Sequence, residues 1–269
     1  MNNPAPFLSL VIPAYREAEG LKAAFEIIRQ HTEPLARWEY IIVDDGSTDE
    51  TWKVIEQLAT AHKEVVGLSL SRNFGKEGAI AAGLSAARGD AVVVMDADLQ
   101  HPPQLIAKMI ELWRGGAEVV NTHKSSRGKE GSLKRWLVHC YFGFFSRLAG
   151  MEIGNAADFK LLDRSVVDCM KKLPERTRFF RGLVAWVGFR QETIAFDVAA
   201  REIGTGKWSF TRLARLAIES IMVFSSLPMQ LMTLVGGLFA LLAVGLSIRT
   251  GWLLWTGQAL PGFATVILL

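Results

Sequence analysis

The chain has 269 residues, 50% of them hydrophobic, with a net charge of +3 and a mean hydropathy of +0.21. That length suits one α/β domain with its own core plus an additional segment. The two cysteines, Cys140 and Cys169, read as ordinary buried thiols and exclude a disulfide framework or a cysteine-based zinc site. The start, MNNPAPFLSLVIPAYRE, lacks the basic leader and the apolar length of a secretion signal, and no nucleic-acid partner is expected.

Residues 7–122 alternate strand and helix patterns. FLSLVIP reads as a strand and REAEGLKAAFEIIRQH as a helix; EYIIVDD is a second strand. STDETWKVIEQLATAH follows as a helix, with Ser47 or Thr48 as its cap and acidic residues in its first turn. EVVGLSL, DAVVVMD and AEVVNT are further strands, separated by the helices GAIAAGLSAARG and PPQLIAKMIELWRG. Near-continuous apolar strands between helices predict a mostly parallel sheet covered on both faces. Ligands of such sheets bind at the carboxyl ends of the strands. The polar clusters PAYRE, DDGS, SRNFGK and DADLQ all fall at those ends.

Beyond residue 130 the pattern changes. Apolar positions 133, 136, 137, 140, 141, 144, 145 and 148 have helical spacing, with Lys134, Arg135 and Arg147 off the stripe. This helix over 132–149 suits a membrane interface, the alternative being packing on the catalytic domain. KWSFTRLARLAIESIMVF, 207–224, is a second such segment, and its Arg212 and Arg215 place everything upstream on the cytoplasmic side. Residues 231–248 carry no charge and are long enough for a membrane span, the alternative being a buried core helix. A polar connection with Arg249, Gly251 and Gln258, flanked by Trp252 and Trp255, is expected next. PGFATVILL then begins an apolar run, expected to be the start of the second span of a hairpin continuing past residue 269.

The chemistry centres on AVVVMDADLQHPPQ, where Asp96 and Asp98 end an apolar strand. Side chains two apart on a strand share a side, so a positive group is needed between them. Hard carboxylate oxygens suit Mg²⁺ or Mn²⁺ held together with substrate phosphates, and Gln100 adds a carbonyl oxygen if the chain stays extended. No histidine and cysteine cluster points to zinc. A metal bridging phosphates needs a nucleotide beside it. Asp44 and Asp45 close the second strand and suit hydrogen bonds from a base or ribose, although either also suits a helix-capping contact. Tyr15 is placed to pack on a ring. Arg72, Lys76, Lys124 and Arg127 lie at or beyond strand ends, open to phosphate contact or to plain solvation.

LVIPAYREAEGL, IIVDDGSTDET, SRNFGKEGAI, VVVMDADLQHPP, NAADFKLLDR, ERTRFFRGLVAWVGF and REIGTGKWSF together resemble glycosyltransferase family 2. Within it they are most similar to the polyprenyl-phosphate glycosyltransferases. The resemblance implies a GT-A, Rossmann-like catalytic domain over 1–204, a juxtamembrane helix over 205–228, a first span over 229–250 and the start of a second over 261–269. It implies nucleotide contacts from Pro13, Ala14, Tyr15, Glu17 and Asp44, and a metal and diphosphate site at Asp96, Asp98 and Gln100. It implies Asp158 as catalytic base or acceptor orienter, and Arg201 and Lys207 as a basic pair near the diphosphate or the acceptor phosphate. Lys160 and Lys124 stand where relatives usually carry arginine, keeping the charge and losing the bidentate fork.

The implied reaction moves a hexose, with inversion, from a nucleotide sugar to a polyprenyl phosphate, with Mg²⁺ or Mn²⁺ as cofactor. Lys76, Arg127, Arg201 and Lys207 would add fixed positive charge around the diphosphate. UDP-glucose and undecaprenyl phosphate are the leading substrates; GDP-mannose or a UDP-amino sugar are alternatives. The setting implied is a multi-pass protein of the inner membrane with a cytoplasmic catalytic domain, with room for a homo-oligomer. A processive polysaccharide synthase is the nearest rival, and its QxxRW-type motif is missing here. A nucleotidyltransferase lacks a need for the hairpin, and a non-catalytic membrane scaffold would bind no metal-dependent nucleotide.

Overall fold

Among the described residues seven strands, numbered in chain order, form one sheet. The computed structural model describes residues 6–124, 156–173, 179–196 and 227–257, and the chain divides into two units, Met1–Ser209 and Phe210–Leu269. In the first unit β1 (Phe7–Ala14) runs parallel to β2 (Arg37–Asp44) and β4 (Ala91–Val94), and β2 runs parallel to β3 (Val65–Ser69). The sheet then reverses once. β6 (Ala156–Asp163) is antiparallel to both its neighbours, β4 and β5 (Val119–Lys124), while β7 (Gln191–Phe196) is parallel to β5.

β1 shows why its sequence is so apolar: both of its faces are covered. Leu8, Leu10 and Ile12 share one core with Phe25, Ile28, Ile42, Val93 and Met109. That core takes in side chains of α1 (Leu21–Thr32), α2 (Thr51–Ala61) and α4 (Leu105–Arg114). On the opposite face Val11 packs against Gly83 of α3 (Lys76–Ala86), where any Cβ would run into the valine. α5 (Arg164–Lys171) and α6 (Phe180–Trp186) adjoin α3 on that side. At the amino ends of the strands Ser9 and Glu39 are buried, and Glu39 accepts from Ser9 Oγ at 2.6 Å and Arg88 N at 2.6 Å.

Two helix starts differ from the sequence pattern. α1 begins at Leu21 rather than in the REAEG stretch. α2 begins at Thr51, without a cap from Ser47 or Thr48 and without an acid in its first turn. Those hydroxyls are engaged elsewhere: Ser47 Oγ accepts Arg16 N at 3.0 Å and Thr48 Oγ1 accepts an Arg16 guanidinium nitrogen at 2.9 Å. Asp49 instead accepts both Thr51 N (3.1 Å) and Thr51 Oγ1 (2.6 Å). Cys169, on α5, is half-buried rather than buried.

In the second unit α7 (Leu227–Trp255) is a single helix of 29 residues. The expected polar connection is therefore helical as far as Trp255: Arg249 and Gly251 continue the helix rather than end it. One glycine in a helix costs only about 1 kcal/mol, and an arginine near the end of an apolar helix can extend its head toward water. Thr233 and Thr250 bond back to the carbonyls of Met229 (2.9 Å) and Leu246 (2.8 Å), which satisfies their hydroxyls within the helix. Among the described residues this is the one helix long and apolar enough to cross a membrane, and none of its most apolar stretch is buried within the protein. A hairpin is not confirmed. The interface helices expected over 132–149 and 207–224, and the apolar run over 261–269, lie outside the described residues.

Candidate active site

All four strand-end clusters gather at the carboxyl edge of β1 to β4. After β1 the chain turns sharply, with Arg16 in the left-handed region at φ 56°. This puts Tyr15, 40% exposed, at the surface with the Arg16 guanidinium 5.4 Å from its ring, and lets Glu17 N donate to Thr51 Oγ1 at 3.0 Å. Pro13 and Ala14 lie in β1 opposite Val43 and Asp44. Asp44 and Asp45 are both buried, and each ties down a loop. Asp44 Oδ1 accepts Ser47 N at 3.1 Å, and Asp45 Oδ1 accepts Phe74 N at 2.7 Å. Neither caps α2. Burial pushes the Asp45 carboxyl up, against the Phe74 and Gly75 N–H groups, and the Asp44 charge adds to the rise. Between the two loops Gly46, at φ 64°, lies so close to the backbone of Arg72 that no other residue fits. The Arg72 guanidinium stacks 4.7 Å from the Phe74 ring.

Asp96 and Asp98 lie beyond the end of the strand rather than within it. β4 ends at Val94, the chain turns at 97–98, and Leu99 takes a left-handed φ of 54°. Strand parity therefore fails at this point. Asp96 is half-buried and Asp98 is exposed, with Asp98 Oδ1 accepting Gln100 N at 3.1 Å. The left-handed Leu99 bends the chain immediately before Gln100. The positive group against Asp96 is Lys76 Nζ at 2.7 Å, and the same ammonium bonds Asp158 Oδ2 at 2.6 Å. Asp158, from β6, is buried and is also held by Arg181 of α6, through Nε to Oδ1 and Nη2 to Oδ2 at 3.0 Å.

Burial opposes ionisation of Asp158, but the hydrogen bonds and charge of Arg181 and Lys76 outweigh it and hold the carboxyl far below the usual carboxylate range. Burial likewise disfavours the Lys76 charge, and Asp158 and Asp96 more than restore it. Behind this cluster Lys160, on the same strand as Asp158, is buried and donates to Asn121 Oδ1; burial, with the Arg181 charge, pushes it down to about 7. The ring of buried His101 lies 5.4 Å from those of Phe159 and Phe196.

Lys76, Asp96 and Asp158 are thus brought together, with Tyr15, Glu17, Asp44 and Asp45 along the same edge. Lys124 ends β5, paired in register with Phe196. Arg127, Arg201 and Lys207 lie outside the described residues. Arg181 and Glu77 are not singled out by the sequence; Lys160 is marked there only as a lysine at a position where relatives usually carry arginine. The signal for Arg181 was one charge inside the apolar run FFRGLVAW, which gives no hint of its partner.

The carboxylates at this edge suit a divalent cation in one respect. Burial raises the Glu17 carboxyl, and the charges of Asp98, Asp49 and Asp96 raise it further, so negative charge is concentrated here. Among the described residues no group of three or more His, Cys, Asp or Glu forms a cage. A Mg²⁺ or Mn²⁺ ion held by the carboxylates of this edge would draw its remaining ligands from substrate phosphates and water, the usual way these ions are held.

The Glycosyl transferase family 2 model matches residues 9–170, from the first strand to the end of the Asp158 region. The chain belongs to glycosyl transferase family 2. This glycosyltransferase is 34% identical over 266 residues to a prophage bactoprenol glucosyl transferase homolog of Escherichia coli K12, covering 97% of this chain and 86% of that one. It is 37% identical over 231 residues to the bactoprenol glucosyl transferase of Shigella phage SfV, covering 85% and 75%. Its fold is that of glucosyl-3-phosphoglycerate synthase from Mycobacterium tuberculosis, solved with Mn²⁺, UDP and phosphoglyceric acid, at TM-score 0.58 and 19% identity over 80% and 76% of the two chains.

Proposed function

We propose that this glycosyltransferase transfers glucose from UDP-glucose, with inversion, to a polyprenyl phosphate such as undecaprenyl phosphate at the cytoplasmic face of a membrane. The observation that carries this reading is Asp158: a buried carboxylate, fully charged and held by two cations, at the strand edge beside the DADLQ turn. So acidic a group is a poor proton acceptor near neutral pH. It suits an acceptor that needs no base, and a phosphate monoester, with its second pKa near about 6, is such an acceptor. The likeness to chains named bactoprenol glucosyl transferase supports a lipid phosphate, and the apolar α7 supports attachment to the membrane that holds it.

Asp44 and Asp45 fix the loops around a nucleoside, with Tyr15 available to pack on its base. Asp98 and Asp96 would hold Mg²⁺ or Mn²⁺, which would supply Lewis-acid stabilisation of the departing diphosphate. Lys76 and Arg181 hold Asp158 in one orientation, so that it positions the acceptor and stabilises charge developing on the sugar. Arg127, Arg201 and Lys207 are assigned to the diphosphate and acceptor phosphate. The catalytic unit lies on the cytoplasmic side in this reading.

The test is nucleotide release by the full chain in detergent with Mg²⁺ or Mn²⁺. UDP-glucose, UDP-N-acetylglucosamine, UDP-galactose and GDP-mannose are each assayed with and without undecaprenyl phosphate. Release from UDP-glucose only with the lipid present is the expected result, abolished by EDTA and restored by Mn²⁺. Release from another donor would change the sugar, and release that ignores the lipid would overturn the acceptor.

A further inference from the structure

Glu77 follows Lys76 in the first turn of α3, and its Oε2 accepts the backbone N–H of Phe180 at 2.7 Å. Phe180 is the first residue of α6, and the next, Arg181, grips Asp158. Two adjacent residues of α3 and two of α6 therefore form a clasp around one carboxylate. Lys76 and Arg181 hold Asp158 from two sides, while Glu77 holds the turn that carries Arg181. We propose that Glu77 is a positioning residue: its carboxylate seats the start of α6 against α3 and so sets the grip of Arg181 on Asp158. This rests on the reading of Asp158 as the group that faces the acceptor.

Glu77 is poorly placed for a purely structural carboxylate. Together with Lys171 of α5 it borders a crevice otherwise lined by apolar side chains, Ile80, Leu84, Val167 and Leu183 among them. The charged groups near it are Lys76 on its own helix, Asp158 on β6, Arg181 on α6 and Lys171 on α5. Burial, and then the Asp158 charge, push the Glu77 carboxyl up to about 7, against the Phe180 N–H, Arg181 and Lys76. Its charge thus changes near neutrality. Protonation weakens its hold on Phe180 N–H and removes a negative neighbour of Arg181.

The experiment compares wild type, Glu77→Gln, Arg181→Lys and the double variant in the full-length enzyme, with the donor and acceptor that the release assay identifies. Glutamine can still accept the Phe180 N–H without titrating. In wild type kcat should fall severalfold from about pH 8 to about pH 6, with a midpoint near neutrality. In Glu77→Gln that part of the limb should flatten at a level below the wild-type plateau, with donor KM unchanged. The two single losses should be non-additive in the double variant, because both act on one grip. Superimposable pH profiles for wild type and Glu77→Gln, or losses that simply multiply, would overturn the proposal.

Thermal unfolding supplies a readout without activity. A carboxyl whose folded pKa is raised from 4.5 to about 7 contributes stability present at low pH and lost as pH rises through about 7. Glu77→Gln should therefore unfold at a higher temperature than wild type near pH 8, the two converging as pH falls. A variant less stable than wild type at every pH would make Glu77 structural and overturn the proposal. Silence of the wild type with every donor would instead bear on the substrate assignment, and the unfolding comparison would still decide the role of Glu77.

Discussion

Both oxygens of Asp158 are bonded to cations, which sets what the residue can do and what its loss would cost. Asp158→Asn keeps the shape, and leaves the Lys76 and Arg181 charges facing a neutral amide. A roughly 10²–10³-fold fall in kcat is expected, the scale on which preorganised charge acts, measured as lipid-dependent nucleotide release. If turnover stayed near wild type, Asp158 would be structural. Arg181→Lys should fall less steeply, since lysine keeps the charge and loses the two-point grip. Asp96, Asp98 and Asp158 stand out in the sequence as candidates because each lies in a motif whose chemistry is local, and the structure brings Asp96 and Asp158 onto one lysine. Lys76 was legible as a charge near the site but not in its role: a lysine after β3 carries no mark of whether it meets a phosphate or a carboxylate. Arg181 was illegible because the fold alone brings it back to a strand 23 positions earlier.

At the scale of elements, the loops after β2 and β3 depend on each other. Gly46 cannot accept a Cβ against the Arg72 backbone, and its φ of 64° is itself unfavourable to other residues. Gly46→Ala should therefore part the DDGS and SRNFGK loops, and is expected to weaken nucleotide binding more than it weakens folding, as read by UDP titration beside thermal unfolding. The far end of the sheet has a purely structural counterpart. Burial opposes the Glu39 charge, yet Ser9 and Arg88 hold its carboxyl below the usual value. The stability it contributes is present above about pH 4.5 and lost as pH falls through its lowered folded value. Glu39→Gln should cost about 1–3 kcal/mol at neutral pH in urea unfolding, with kcat unchanged, and the difference should shrink in acid. The first five strands and four helices were legible from their apolar runs and turns. The antiparallel setting of β6 was not, since an apolar strand buried on both faces reads the same in either direction. The start of α2 was missed because the hydroxyls that resemble a cap hold Arg16.

At the scale of the whole molecule, α7 is an apolar helix of 29 residues, about 43 Å long at helical rise. That exceeds the roughly 30 Å of a bilayer core, enough to cross with some tilt. Leu238→Arg, near the middle of α7, should cost about 2.5–3.5 kcal/mol of insertion and move the full-length chain toward the carbonate-soluble fraction. The composition made this helix legible, while its extension past Arg249 and Gly251 was not, because a breaker inside a strongly apolar helix is overridden by its neighbours. The place of β6 in the sheet has one more consequence. Among the described residues β5 pairs with β6 and β7 alone, so β6 is the seam between the two parts of the sheet, and it carries Asp158. Opening that seam would expose two strand edges and part Asp158 from Lys76 and Arg181 in one event. The backbone amides of Asp158 to Leu162 should therefore exchange with solvent only as fast as the whole domain unfolds, and the cluster that most needs rigidity shares the stability of the entire fold.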